Sequence, residues 1–130
     1  DSAMPDQPTV LIVDDEPAMQ RLMSSLLSWN GCTIISAFNV NEAEALLQTE
    51  RPNVILCDLM MPERTGVELI QYCRAHDELR EVPIVLVTAT GQHEKIDEAI
   101  ALGVFELLPK PFATTSLLRI VRAATGQEEG

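Results

Sequence analysis

Val10-Leu11-Ile12-Val13-Asp14-Asp15-Glu16-Pro17 begins as a short apolar run rich in β-branched residues and breaks abruptly into acids and a proline. The run reads as a strand buried on both faces. A proline at the first helical position, with acids just ahead of it, reads as the start of a helix. Strand, acid and helix follow one another within this stretch, and the rest of the chain repeats the unit.

Downstream, Met19, Leu22, Met23, Leu26 and Leu27 recur at helical spacing as one apolar stripe, and Asn30-Gly31 closes it. Thr33-Ile34-Ile35 predicts a second strand, and Val40, Ala43, Leu46 and Leu47 a second amphipathic helix that stops near Arg51-Pro52. Val54-Ile55-Leu56-Cys57 is the third strand; a loop through Met61-Pro62 and Gly66 leads to a helix carrying Val67, Ile70 and Cys73. Pro83 introduces the strand Ile84-Val85-Leu86-Val87. A weaker helical pattern between Glu94 and Leu102 rests on Ile96, Ala99 and Ile100, and Gly103 ends it. Val104 to Leu108 predicts the last strand, and Leu117, Ile120, Val121 and Ala124 the last helix. Strands apolar on both faces that alternate with helices predict the α/β class, a parallel sheet covered on either side. Right-handed crossovers make it a doubly wound three-layer sandwich.

A chain of 130 residues is one domain's worth, large enough to bury a core without disulfides or zinc. Its formal charge of -11 repels phosphate backbones and anionic bilayers, so direct nucleic-acid binding and membrane attachment are both disfavoured. No apolar run approaches the roughly 18 residues of a membrane span. Asp1 to Thr9 lack the basic and apolar regions of a secretion signal, which predicts a cytoplasmic protein. Cys32, Cys57 and Cys73 lack the paired spacing of a zinc or redox site and read as reduced, packed thiols.

In a doubly wound sheet, reactive groups gather outside the carboxyl ends of the strands. The residues there are Asp14 and Asp15, Asp58, Thr88 and Lys110. Singly, each is a helix cap or a solvated side chain. Together, three carboxylates, a hydroxyl and an ammonium suit phosphate chemistry. Three acids held close repel one another, and a hard divalent cation relieves that repulsion. Magnesium keeps waters and takes one or two carboxylates plus phosphate oxygens, which leaves a carboxylate free as nucleophile. Asp58 is that candidate, because it leaves a buried central strand opposite the Asp14-Asp15 pair.

Asp14-Asp15, Asp58-Leu59-Met60-Met61-Pro62, Thr88-Ala89 and Lys110-Pro111-Phe112, in this order, resemble the CheY-like receiver domain of two-component response regulators. The resemblance runs from Val10 to about Ala124. It implies a flavodoxin-like (βα)5 sandwich with sheet order 2-1-3-4-5, and a phosphoryl group taken by Asp58 from a histidine kinase or a histidine phosphotransfer protein. It further implies Mg2+, or Mn2+ in its place, held by Asp15, Asp58 and the Met60 backbone carbonyl directly and by Asp14 through water. Lys110 and Thr88 would contact the phosphoryl group, the Lys110-Pro111 peptide would be cis, and Ala89 would leave room for the phosphoryl group. Gly66 matches a loop glycine where positive φ is often needed, with a plain helix-start glycine as the alternative. On this reading residues 1–8 are a disordered lead or cloning remnant, 9–125 the receiver domain, and 126–130 a polar tail or the start of a linker.

The chain departs from the family pattern at Leu107, where many receivers carry Tyr or Phe, and at Phe105, which occupies a commonly polar place. Phe105 and Leu107 are expected to form an apolar docking patch with the fourth and fifth helices, for a partner, an effector domain beyond Gly130 or a second copy. Met60 and Thr90 border the path of water to an acyl phosphate, and an apolar Met60 predicts slow to moderate self-dephosphorylation. Trp29 is expected to pack at the end of the first helix. His76 and His93, and the acids Glu42, Glu44, Asp97 and Glu98, read as solvated. Two other readings stand beside the switch. A magnesium-dependent phosphatase is weakened by the lack of a cap domain and of an acid two residues after Asp58. A constitutive binding module is weakened by the full set of phosphorylation residues.

Overall fold

Among the residues that the computed structural model describes, 7–89, 91 and 93–126, five strands alternate with five helices. They are β1 (Thr9–Val13), α1 (Pro17–Trp29), β2 (Thr33–Ala37), α2 (Val40–Leu47), β3 (Val54–Cys57), α3 (Gly66–Ala75), β4 (Ile84–Ala89), α4 (His93–Ala101), β5 (Glu106–Lys110) and α5 (Thr114–Ala124). All four strand pairings are parallel, in the order β2-β1-β3-β4-β5. This is the predicted flavodoxin-like topology.

Strand side chains alternate between two apolar layers, as a period of two requires. Leu11, Val13, Ile55, Cys57, Ile84 and Leu86 pack beneath α2, α3 and α4 against Ala43, Leu47, Ile70, Cys73 and Ala99. Val10, Ile12, Val54, Leu56, Val85 and Val87 face the other way, against Met23 and Leu27 of α1 and Leu117, Ile120 and Val121 of α5. Each such aliphatic side chain contributes about 1.5–3 kcal/mol when fully buried. Among the described residues no helix is long and apolar enough to cross a membrane.

Several expectations shift. The last strand is Glu106–Lys110 rather than Val104–Leu108. Gly103, at φ 92, ends α4, and the chain turns through Val104 and Phe105 before β5 pairs with β4 from Val85 and Glu106 onward. The inward row of α1 is Gln20, Met23 and Leu27, so Leu22 points outward, 46% exposed. That row next reaches residues 30 and 31, which leaves Trp29 on the outer side of the last turn; it is 88% exposed and does not pack. Ile100 is likewise 52% exposed, and only Ala99 of α4 is buried. The expected lead before Gln7, Thr90, and the tail after Gly126 lie outside the described residues.

Candidate functional site

The carboxyl ends of β1, β3, β4 and β5 bring Asp14, Asp15, Asp58, Thr88 and Lys110 together. The Asp58 backbone N–H donates to the Val13 carbonyl at 3.0 Å and the Asp14 N–H to the Ala37 carbonyl at 3.1 Å, so both acid-bearing turns continue the sheet ladder. Asp14 and Asp58 are buried, Asp15 half-buried, and each offers a carboxylate oxygen within 4.8 Å of the other two. The Lys110 Nζ lies 2.8 Å from Asp14 Oδ2, 3.0 Å from Asp58 Oδ2 and 3.5 Å from Glu16 Oε1. Asp58 Oδ1 accepts from the Thr88 hydroxyl at 2.8 Å and from the Met60 N–H at 3.2 Å. The Lys110-Pro111 peptide is cis. Met60 and Ala89 help line the open cleft above these groups.

Burial pushes the Asp14 carboxyl above its ordinary range, against the opposing pull of the Lys110 ammonium and the Glu16 N–H, and the Asp58 charge adds to the rise. Burial alone would push the Lys110 ammonium down. Its hydrogen bonds to Asp14 and Asp58 outweigh that and hold it above the usual lysine value. One cation therefore faces three acids, four with Glu16. Oxygens on opposite sides of a magnesium ion stand about 4.2 Å apart at bond lengths near 2.1 Å. A carboxylate cluster spanning 4.8 Å fits such an ion with little contraction.

The loop after Asp58 has its own supports. The Cys57 thiol, wholly buried, donates to the Asp58 carbonyl at 3.2 Å; burial drives its pKa far up, so it is a packing group and not a nucleophile. Gly66 opens α3 without a positive φ, as the helix-start alternative has it rather than the positive-φ reading. A Cβ there would stand 2.5 Å from the Asp58 carbonyl oxygen and 2.9 Å from the Cys57 sulfur, so close approach, not backbone conformation, demands the glycine. The positive φ in this loop belongs to Glu63, at 73°. Next to it, Arg64 reaches Glu44 of α2 at 2.7 and 3.0 Å, Asn41 at 2.8 Å and Glu68 at 2.9 Å, tying the loop to α2 and α3.

Leu107 is half-buried against the α2–α4 layer, and Phe105 is 45% exposed before the start of β5, at the edge of the sheet opposite the acids. His93 is exposed near Met60, and His76 packs its ring on Tyr72. Sequence reading missed three contributors: Glu16, read only as part of a helix start; Gln20, whose amide bonds the strand ends beside the acids; and Arg64, whose partners on α2 lie about twenty residues away. Only the acid at position 16, next to the Asp14-Asp15 pair, carried a signal that could have been followed.

A flavodoxin-like sandwich that gathers acids, a hydroxyl and an ammonium at one sheet edge suits phosphate chemistry. The sequence profile described as the response regulator receiver domain matches residues 10–122, and the chain belongs to that family. It is 29% identical over 115 residues to the phosphate regulon transcriptional regulatory protein PhoB of Pseudomonas aeruginosa, covering 88% of this chain and 50% of that protein. It is 33% identical to an uncharacterized 14.6 kDa protein of Leptolyngbya boryana, covering 89% and 88%. The chain spans about half the length of the PhoB proteins it matches. Among solved structures, the chemotaxis response regulator CheY4 of Vibrio cholerae superposes with a TM-score of 0.84 at 31% identity over 91% of this chain and 98% of that one. The receiver domain of the sensor histidine kinase PA1611 from Pseudomonas aeruginosa, which has a magnesium ion in its active-site cleft, gives 0.85 at 26% identity over 92% and 98%. This chain is thus a receiver domain of two-component signal transduction, and its pocket of Asp14, Asp15 and Asp58 fits the phosphoacceptor site of a family that binds Mg2+.

Proposed function

We propose that residues 9–125 act as a cytoplasmic switch that takes a phosphoryl group on Asp58 from a phosphohistidine of a histidine kinase or phosphotransfer protein. The supporting observation is that both Asp58 oxygens are already engaged, one by Thr88 and one by Lys110, in a pocket shared with Asp14 and Asp15. An Asp58 carboxylate oxygen attacks phosphorus, the P–N bond breaks, and the imidazole leaves with its electron pair. A magnesium ion held by Asp15, Asp58 and the Met60 carbonyl, and by Asp14 through water, would offset charge on the phosphoryl oxygens. Lys110 then bonds the phosphoryl group and the Thr88 hydroxyl donates to it. The domain catalyses only its own phosphorylation and dephosphorylation, and Met60, without a polar tip to orient water, makes the second step slow to moderate.

Drawing Thr88 and Lys110 onto new oxygens biases the packing of α4, β5 and α5, the surface offered to an effector domain, a partner or a second copy. Phe105 and Leu107 supply apolar contact there. Incubation with acetyl phosphate and Mg2+ should add one phosphoryl group by intact mass, and Asp58→Asn should abolish the addition. Undiminished labelling of that variant would overturn the assignment.

A further inference from the structure

The inward row of α1 contains one polar side chain, Gln20, which is 3% exposed. Its amide nitrogen donates to the carbonyls of Ile12 at 3.1 Å, Asp14 at 3.1 Å and Ala37 at 2.7 Å. Two N–H bonds thus serve three carbonyls at the carboxyl ends of β1 and β2. The Asp14 carbonyl belongs to the peptide that joins Asp14 to Asp15, and the Ala37 carbonyl also accepts the Asp14 N–H. The amide of Gln20 therefore holds the peptide plane between two of the three clustered acids, and Gln20 itself does not line the cleft.

This placement has a cost that stability alone does not explain. Gln20 Oε1 is buried and accepts no hydrogen bond from the described residues, and a buried acceptor left unpaired costs about 1–3 kcal/mol. A methionine of nearly the same volume would fill the row beside Met23 and Leu27 without that cost. What it could not do is fix the direction in which the Asp14 and Asp15 side chains leave the backbone. Reversing the amide would set Oε1 against three carbonyl oxygens, so the donors must face the strand ends.

We infer that Gln20 is a positioning residue that aims the Asp14-Asp15 pair at the bound cation while touching neither the cation nor the phosphoryl group. The inference rests on the magnesium site proposed above. Outer-shell groups that orient metal ligands typically account for about 10–100-fold in metal affinity. Holding the peptide plane of two ligands at once places Gln20 among them.

Titration calorimetry with MgCl2 on the full chain tests this, with wild type, Gln20→Met, Leu27→Ala and Asp15→Asn compared at a temperature where circular dichroism shows each folded. Gln20→Met should bind Mg2+ about tenfold more weakly or worse. Leu27→Ala, which weakens the same helix about two turns further from the acids, should keep its affinity within about twofold of wild type, as independent sites do. Phosphorylation of Gln20→Met by acetyl phosphate should recover as Mg2+ is raised, because only the affinity is impaired. Should Gln20→Met not fold, Gln20→Asn, whose amide is one methylene too short to reach the carbonyls, should show the same loss of affinity. Equal Mg2+ affinity in wild type and the Gln20 variant, or an equal loss in Leu27→Ala, overturns the positioning role while leaving the site intact. Failure of wild type itself to bind Mg2+, or binding by Asp15→Asn as tight as wild type, overturns the site reading first.

Discussion

The two strands that carry the acids and the edge that carries the lysine belong to one sheet, yet they are packed to different degrees. Val10 to Val13 and Val54 to Cys57 are sealed on both faces, whereas α4 buries only Ala99 and β5 only Leu108. The acids are thus mounted where displacement would open the core, which costs several kcal/mol. The ammonium that faces them is mounted on a thinly covered edge strand. Thr88, at the end of the sealed part of β4, stands between the two. Packing of this kind suits a molecule in which ligand geometry must stay fixed on one side while the other side changes arrangement, because thinly packed elements open at lower free energy than core strands.

The largest expected effect tests that contrast directly. Leu56→Ala, within the sealed wall, should lower stability by about 2–5 kcal/mol in urea denaturation, as large-to-small core changes do. Ile100→Ala on α4 should stay within about 0.5 kcal/mol, since its side chain is half exposed and packs on little. Equal losses would mean that α4 is as firmly seated as β3 and would remove the packing asymmetry that supports the proposed switching edge.

A smaller effect of opposite sign is expected within the acid wall. Burial raises the Asp14 pKa above its unfolded value, so the stability associated with its protonated form is fully present below about pH 4 and lost as pH rises through the folded value. In metal-free protein above about pH 4 the buried Asp14 is therefore a net burden despite its bond to Lys110. Asp14→Asn with EDTA present should gain about 0.5–2 kcal/mol, as relieved functional sites commonly do, while losing Mg2+ affinity. The gain should grow as the pH of the denaturation series climbs from about 4 toward neutrality. Lys110 has the same sign at the other end of the scale. Its raised pKa means that its contribution, present below the ordinary lysine value, is lost only as pH rises through the higher folded value. A variant no more stable than wild type at every pH would show that the Lys110 bond outweighs burial.

Much of this contrast was legible in the residues. Strands buried on both faces announce themselves as unbroken apolar runs, and the crossover rule then places the residue after each run at one edge, which is how Asp14, Asp15, Asp58, Thr88 and Lys110 could be grouped. Periodicity was less informative on the helices. It shows which residues share a face, but Met19 to Leu27 forms a stripe broad enough that its phase against the sheet is set by tertiary packing, and Leu22 and Gln20 exchange roles in consequence. Gly66 was legible as necessary but not for its reason, because the Asp58 carbonyl it must avoid is brought near only by the turn of the loop. The start of β5 was hidden because Val104 and Phe105 continue the apolar run without pairing to β4 as strand residues.

Arg64 offers an intermediate case on the sealed side. Its side chain is a third exposed, and its guanidinium makes paired hydrogen bonds to Glu44 with further bonds to Glu68 and Asn41, a geometry better than that of an isolated surface ion pair. Arg64→Ala should cost about 1 kcal/mol by thermal denaturation and weaken further at low salt relative to wild type, since exposed pairs of this kind contribute about 0.2–1 kcal/mol and are screened. A loss that is independent of salt would assign the effect to packing of the arginine stem instead.

The smallest expected effect lies at the loose edge. Phe105 is nearly half exposed, yet its backbone N–H donates to the Ile84 carbonyl at 2.8 Å, so the residue holds β5 to β4 through its main chain and not through its ring. Phe105→Ser keeps that bond and removes a ring that is nearly half in water, so urea denaturation should show a change within about 0.5 kcal/mol. Amide hydrogen exchange at position 105 should stay as slow as in wild type. A large destabilisation with faster exchange there would mean that the ring closes the sheet edge, and the apolar surface around it would then belong to the core rather than to any partner.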